Sequence, residues 1–151
     1  MNGNPLRWVD PWGLATWPGS GSVSSPWGPR TDPNSGAQSF HNGADIRNPL
    51  GAPVVASDSG TVQITTGPHG ENQIIIHNDD RSTSGYSHVD PSTQNGQHVN
   101  EGDPIGNTDV SGDSTGPHVH YTYKSPGSNT REDPMNHLLS ENNYPSQSSC
   151  Q

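Results

Sequence analysis

The residues best placed to do chemistry are two histidines one position apart, His118 and His120. They lie in the run Gly116-Pro117-His118-Val119-His120-Tyr121-Thr122-Tyr123. Aromatic and β-branched residues dominate this run, which predicts a strand. Side chains alternate with period 2 along a strand, so both imidazoles project from one face. Far upstream, Phe40-His41-Asn42-Gly43-Ala44-Asp45 sets a histidine and a carboxylate four residues apart across a glycine that lets the loop tighten. Imidazole nitrogen and carboxylate oxygen are zinc donors, and a catalytic zinc site keeps one position open for water. His41, Asp45 and His120 supply three protein donors for one such ion. The expected chemistry is metal-assisted hydrolysis.

Two further histidines suit proton transfer. His118 shares a strand face with His120 without having to bind metal. His88 closes the segment Gly85-Tyr86-Ser87-His88, with Tyr86 two residues earlier and therefore expected on the same face. Imidazole has a free pKa of ~6.5 and can exchange protons or stabilise developing charge near neutrality. Tyr86 is a weaker candidate for a hydrogen bond to an oxyanion, with a packing role as its alternative.

Strands must position these groups. Glycine (18) and proline (15) are too abundant in 151 residues for helices to dominate. Such a composition, with 25% hydrophobic residues, often marks disorder, but the apolar residues here are clustered. Strands are predicted over Pro53–Ala56, Gly60–Thr65, Gln73–His77, Gly85–Val89, Gln97–Gly106 and His118–Tyr123, separated by Gly/Asp/Pro turns. Asp133-Pro134 has the form of a helix cap and first helical position, predicting a short helix over 135–139. Five to seven short strands with one terminal helical turn give a mainly β fold, a small antiparallel sheet or sandwich with long loops.

Charge narrows the partners. Fifteen acidic residues against six basic ones give a formal net charge of −9, with no Lys/Arg run to neutralise phosphates, which argues against nucleic acid. The single cysteine, Cys150, cannot form an internal disulfide and has no activating neighbours. No apolar stretch is long enough to span a bilayer. The N-terminus lacks the basic and apolar blocks of a signal peptide, so export would depend on another carrier.

The joint pattern resembles the lysostaphin/LytM-like zinc metallopeptidases, the M23 peptidases. It runs through His41-Asn-Gly-Ala-Asp45, Gly51-Ala-Pro-Val-Val-Ala56 with Gly60-Thr-Val62, Ile74-Ile-Ile-His77 and Tyr86-Ser-His88. It continues through Glu101-Gly-Asp-Pro-Ile-Gly106, Ser114-Thr-Gly-Pro-His-Val-His120 and Asp133-Pro134. The resemblance implies the lysostaphin/LytM-like β fold, zinc held by His41, Asp45 and His120, and catalytic roles for His118 and His88. His77 is expected to be structural or to support the site; His69, His98 and His137 receive no role. Asp109, Asp90 and Thr122 depart from the usual pattern, which bears on substrate preference and on the supports of His120. The implied substrate is bacterial peptidoglycan, cut at a peptide cross-link.

A second resemblance concerns delivery. Asn4-Pro-Leu-Arg-Trp-Val-Asp-Pro-Trp-Gly-Leu14 is similar to the junction that closes the core shell of Rhs proteins, where autoproteolysis after the leucine frees a C-terminal toxin. It implies an antibacterial effector made in the cytoplasm, carried by an Rhs shell, and acting in the periplasm of a target bacterium. A D-alanine-containing stem cross-link would then be the target, and a cognate immunity protein would be expected. The chain divides accordingly into a junction remnant (1–14), a Gly/Pro/Ser-rich linker or wrap (15–39), the metallopeptidase domain (40–139) and a flexible polar tail (140–151). Two rival readings are a non-catalytic peptidoglycan-binding module and a non-haem iron oxygenase, since two histidines and a carboxylate also suit iron(II).

Overall fold

The computed structural model describes residues 15–31, 35–110 and 116–138. The junction motif, Ser114-Thr115, Leu139, the tail and Cys150 lie outside them. Among the described residues there are twelve strands and one short helix.

The main sheet is antiparallel throughout. It contains β1 (Val23–Ser25), β4 (Ala44–Arg47), β6 (Gly60–Thr66), β7 (Asn72–Asn78), β8 (Thr83–Ser87), β10 (His98–Val99) and β12 (His118–Lys124), in the order β1-β4-β12-β8-β7-β6-β10. A smaller sheet joins β5 (Pro53–Val55), β11 (Pro104–Thr108) and β9 (Val89–Pro91), in the order β5-β11-β9. A separate hairpin pairs β2 (Gly28–Thr31) with β3 (Gln38–His41).

Alternation sorts the two faces of the main sheet. Ile46, Val62, Ile74, Ile76, Tyr86, Val119, Tyr121 and Tyr123 point inward and join Val54, Val89 and Ile105 of the smaller sheet in one core. Among the described residues, the buried side-chain polar atoms of this core are hydrogen-bonded except Asn78 Oδ1. The Ser57 amide donates to the Tyr86 hydroxyl at 2.8 Å, and Ser57 Oγ lies 2.9 Å from that hydroxyl and 2.6 Å from that of Tyr121. The opposite face remains open. The register places Ser25, Asp45, His120, Ser87, Gln73 and Thr65 in one transverse row across it.

The stretch expected as linker or wrap is tied into this architecture. Ala15 and Trp17 are buried in the core, and Trp17 Nε1 donates to the Gly21 carbonyl at 2.8 Å. β1 extends the main sheet beyond β4, while Trp27 packs edge-on against Phe40 with ring centroids 5.1 Å apart. At the other end, Asp133 Oδ1 accepts from the Met135 amide at 3.0 Å and caps α1 (Met135–Leu138), as its sequence predicts. His137, which the sequence left without a role, anchors this turn. Its Nε2 is 2.7 Å from Asp58 Oδ2, and its ring stacks on Tyr123 at 3.8 Å.

Candidate metal centre

Three separate elements bring the donors together. Asp45 on β4 and His120 on β12 are direct register partners, so their side chains leave the sheet side by side. His41 ends β3 and reaches in from the hairpin. His41 Nε2, Asp45 Oδ1 and His120 Nδ1 form a triangle with edges of 3.3, 2.9 and 3.2 Å. Zinc bonds of about 2.0–2.2 Å in tetrahedral geometry set neighbouring donors roughly 3.3–3.5 Å apart. The three donors sit at or slightly inside that spacing, and the donor set fits the ion.

Surrounding groups fix the donors' orientation and charge. His41 is buried, and its Nδ1 lies 2.9 Å from the Pro26 carbonyl, an acceptor that selects the Nδ1–H tautomer and leaves the Nε2 lone pair facing the cluster. Burial works to raise the Asp45 pKa, but hydrogen bonds to His120 and His41, with the nearby His120 and His118 charges, hold it well below the carboxylate range. Burial also lowers the His120 pKa against the opposing pull of Asp45, favouring the neutral ring that a metal requires. Gly43 contributes through close approach: a Cβ there would lie 2.7 Å from His120 Cε1 and 2.8 Å from the Tyr121 carbonyl oxygen.

His118 and His88 meet beside this triangle. His118 Nδ1 is 2.7 Å from the Gly116 carbonyl, which turns Nε2 toward the cluster, 3.6 Å from Asp45 Oδ1. The His88 and His118 rings lie 4.9 Å apart at 60°. His88 reaches this side because its φ is +66°, a left-handed backbone that interrupts strand alternation immediately after β8. Its amide donates to the Asn72 carbonyl at 2.8 Å, and its carbonyl accepts from the Asp109 amide at 2.8 Å. Asn72 Nδ2 in turn donates to Asp109 Oδ2 at 2.7 Å, completing a clamp around this strained residue.

Tyr86 does not share the face of His88. Expected on the His88 face as an oxyanion donor, it is fully buried on the core side, edge-on to Tyr121 at 5.2 Å and bonded to Ser57. The left-handed turn at His88 separates the two residues onto opposite faces. Asp109 supports His88 through the clamp, while Thr122 packs where a Cβ on Gly85 would come within 2.3 Å of its Oγ1. His77 lies away from the cluster and bonds Gln63 at 2.7 Å, and His98 pairs with exposed Asp79 at 3.0 Å. Sequence reading missed the Pro26 carbonyl, Asn72 and the clamping role of Asp109; no local motif marks them.

The family model of peptidase family M23 matches residues 39–134, a span that contains the whole cluster. The chain belongs to this family of peptidases. Among curated relatives, the peptidoglycan DD-endopeptidase ShyA of Vibrio cholerae is 36% identical over 83 residues, covering 54% of this chain and 19% of the relative. The DD-carboxypeptidase/endopeptidase Mpg of Neisseria meningitidis is 36% identical over 83 residues, with coverage of 54% and 19%. The chain thus spans about a fifth of the length of these relatives. Among solved structures, the catalytic domain of lysostaphin from Staphylococcus simulans superposes with a TM-score of 0.68 at 30% identity, covering 80% of this chain and 93% of that one. A zinc-containing peptidase from Vibrio cholerae gives a TM-score of 0.71 at 29% identity, covering 81% and 39%. The fold of this M23 domain is therefore the lysostaphin/LytM-like one.

Proposed function

We propose that this M23 domain is a zinc-dependent endopeptidase acting on the peptide cross-links of bacterial peptidoglycan. The observation that carries this reading is the convergence of His41, Asp45 and His120 on one point with His118 and His88 alongside. His41 Nε2, Asp45 Oδ1 and His120 Nδ1 would hold the ion. A zinc ion there supplies Lewis acidity for activating water and polarising the scissile carbonyl.

The chain's own residues supply the remainder. The Pro26 and Gly116 carbonyls orient His41 and His118, so that each presents Nε2 to the cluster. His118, at the edge of the triangle, orients the attacking water and can hold its proton at Nε2. His88, held against His118 by its left-handed backbone, is positioned to stabilise charge growing on the carbonyl oxygen. One of this pair returns a proton to the departing amine.

A D-alanine-containing stem cross-link is the favoured bond, supported by the DD-endopeptidase names of relatives at 36% identity. Mass spectrometry of purified peptidoglycan incubated with the zinc-loaded protein tests the proposal. New D-alanine carboxyl ends paired with new amines are expected. Intact cross-links would instead favour the wall-binding alternative, and iron recovered from protein purified without added metal would favour the oxygenase.

The Asn4–Leu14 motif supports an antibacterial Rhs effector toxin, freed from the core shell after Leu14 and neutralised in its producer by an immunity protein. Its site of action would be the periplasm of the target cell. Fused behind an Rhs core shell, the chain should yield a fragment beginning at Ala15, and export of that fragment to the periplasm should lyse cells only when the His–Asp–His set is intact.

A further inference from the structure

The chain carries 6 basic residues against 15 acidic ones, yet three arginines stand at the rim of the metal centre. Arg30 is committed to Ser25 at 3.0 Å and approaches Asp45 at 3.7 Å. Arg131 donates to Asn42 Oδ1 at 3.0 Å, beside Gly43. Arg47 is different. It is exposed on the open face, two residues beyond Asp45 on β4 and directly opposite His118 in the register. Its side chain makes no hydrogen bond or ion pair with the described residues.

Arg47 also lines a groove of about 540 Å³ that runs from His118 along β4 past Ser24 and Pro117. Its base is rigid. The Gly21 amide donates to the Arg47 carbonyl, and the Arg47 amide donates to the Ser22 carbonyl, both at 3.0 Å. Gly21 approaches so closely that a Cβ there would lie 2.9 Å from Arg47 Cβ. An arginine anchored by its backbone, with an uncommitted guanidinium in a groove that begins at His118, is suited to take an anion. A planar guanidinium fork matches a carboxylate in particular.

We infer that Arg47 is a specificity-determining residue that binds a free carboxylate of the substrate peptide in the groove beside His118. This rests on the peptidase reading above and adds the charge of the preferred substrate: an anionic peptide whose carboxylate lies within side-chain reach of the scissile amide.

The test uses two versions of one synthetic cross-linked peptide, identical except that the carboxylates flanking the scissile bond are free in one and amidated in the other. The zinc-loaded protein should prefer the free acid by about tenfold in kcat/KM, expressed mainly in KM, as expected for a charge-assisted contact in a solvent-open groove. In Arg47→Gln, with zinc content and thermal midpoint measured alongside, that ratio should fall toward one. Arg47→Lys should retain part of it, supplying charge without the fork. Equal use of both peptides by the wild type, or an undiminished preference in Arg47→Gln, overturns the inference and leaves the peptidase reading standing. Failure of the zinc-loaded protein to cut either peptide overturns both.

Discussion

Asp45 and His120 face each other across β4 and β12, and this one register sets a carboxylate oxygen 2.9 Å from an imidazole nitrogen. A slip of one residue in that pairing would send one of the two side chains to the core face. Sheet register therefore builds most of the metal site, and the hairpin adds His41. Asp45→Asn or His120→Ala should reduce zinc affinity by more than about 100-fold, since even outer supports of a metal site account for about 10–100-fold. Hydrolysis should fall with it. Zinc content by elemental analysis, beside an unchanged circular dichroism spectrum, checks this. Full zinc occupancy in His120→Ala would rule out the site.

His88 separates metal binding from turnover. Its ring lies against His118 rather than within the donor triangle. His88→Ala should keep its zinc while losing about 10²–10⁴-fold in kcat, the usual scale of a proton-transfer or charge-stabilising group. Asp109→Ala removes the acceptor for Asn72 Nδ2 at 2.7 Å and loosens the clamp. A smaller loss of kcat with normal zinc content is expected there. Zinc loss in His88→Ala would instead make it a ligand.

Gly43 tests the close approach beneath His120. A methyl group at this position would lie 2.7 Å from Cε1 of the ring and 2.8 Å from the backbone oxygen of Tyr121, so either the loop or the imidazole must move. Gly43→Ala should weaken zinc binding by about 10–100-fold, the scale on which disturbed ligand orientation acts. Competition with a zinc chelator measures this, and unchanged affinity would show that the loop gives way without cost.

The sequence made the metal cluster legible because its residues carry chemistry in recognisable spacings. The strands from Pro53 onward were legible because runs such as Gln73–His77 are rich in β-branched residues. The strands before them were not. Val23–Ser25 and Gly28–Thr31 have little apolar alternation, and they become strands through pairing with β4 and β3. The placement of Tyr86 failed for a local reason. Period-2 alternation assigned it to the face of His88, but the backbone at His88 turns left-handed and breaks that period. The clamp residues Asn72 and Asp109 are ordinary polar residues 37 positions apart, and only the folded chain joins them.

The buried tyrosine pair should govern stability at high pH. Burial raises the Tyr86 pKa, aided by the Asp58 charge and opposed by hydrogen bonds from Ser57; burial also raises that of Tyr121, aided by Tyr86 and Asp58. The unfolded chain releases these protons near pH ~10, whereas the folded chain retains them. Between the unfolded and folded pKa values, the native state therefore binds more protons. Their contribution to stability is complete below pH ~10 and declines as pH rises, by about 1.4 kcal/mol per pH unit for each tyrosine. Tyr86→Phe removes the acceptor for the Ser57 amide and should cost about 1–3 kcal/mol at neutral pH. Above pH ~10 its stability should decline less steeply than that of the wild type, with Tyr121 and Tyr123, whose pKa values burial also raises, still contributing. Urea midpoints of the zinc-loaded proteins between pH 7 and pH 11 check both effects. Equal slopes in the two proteins would show that Tyr86 does not carry the alkaline transition.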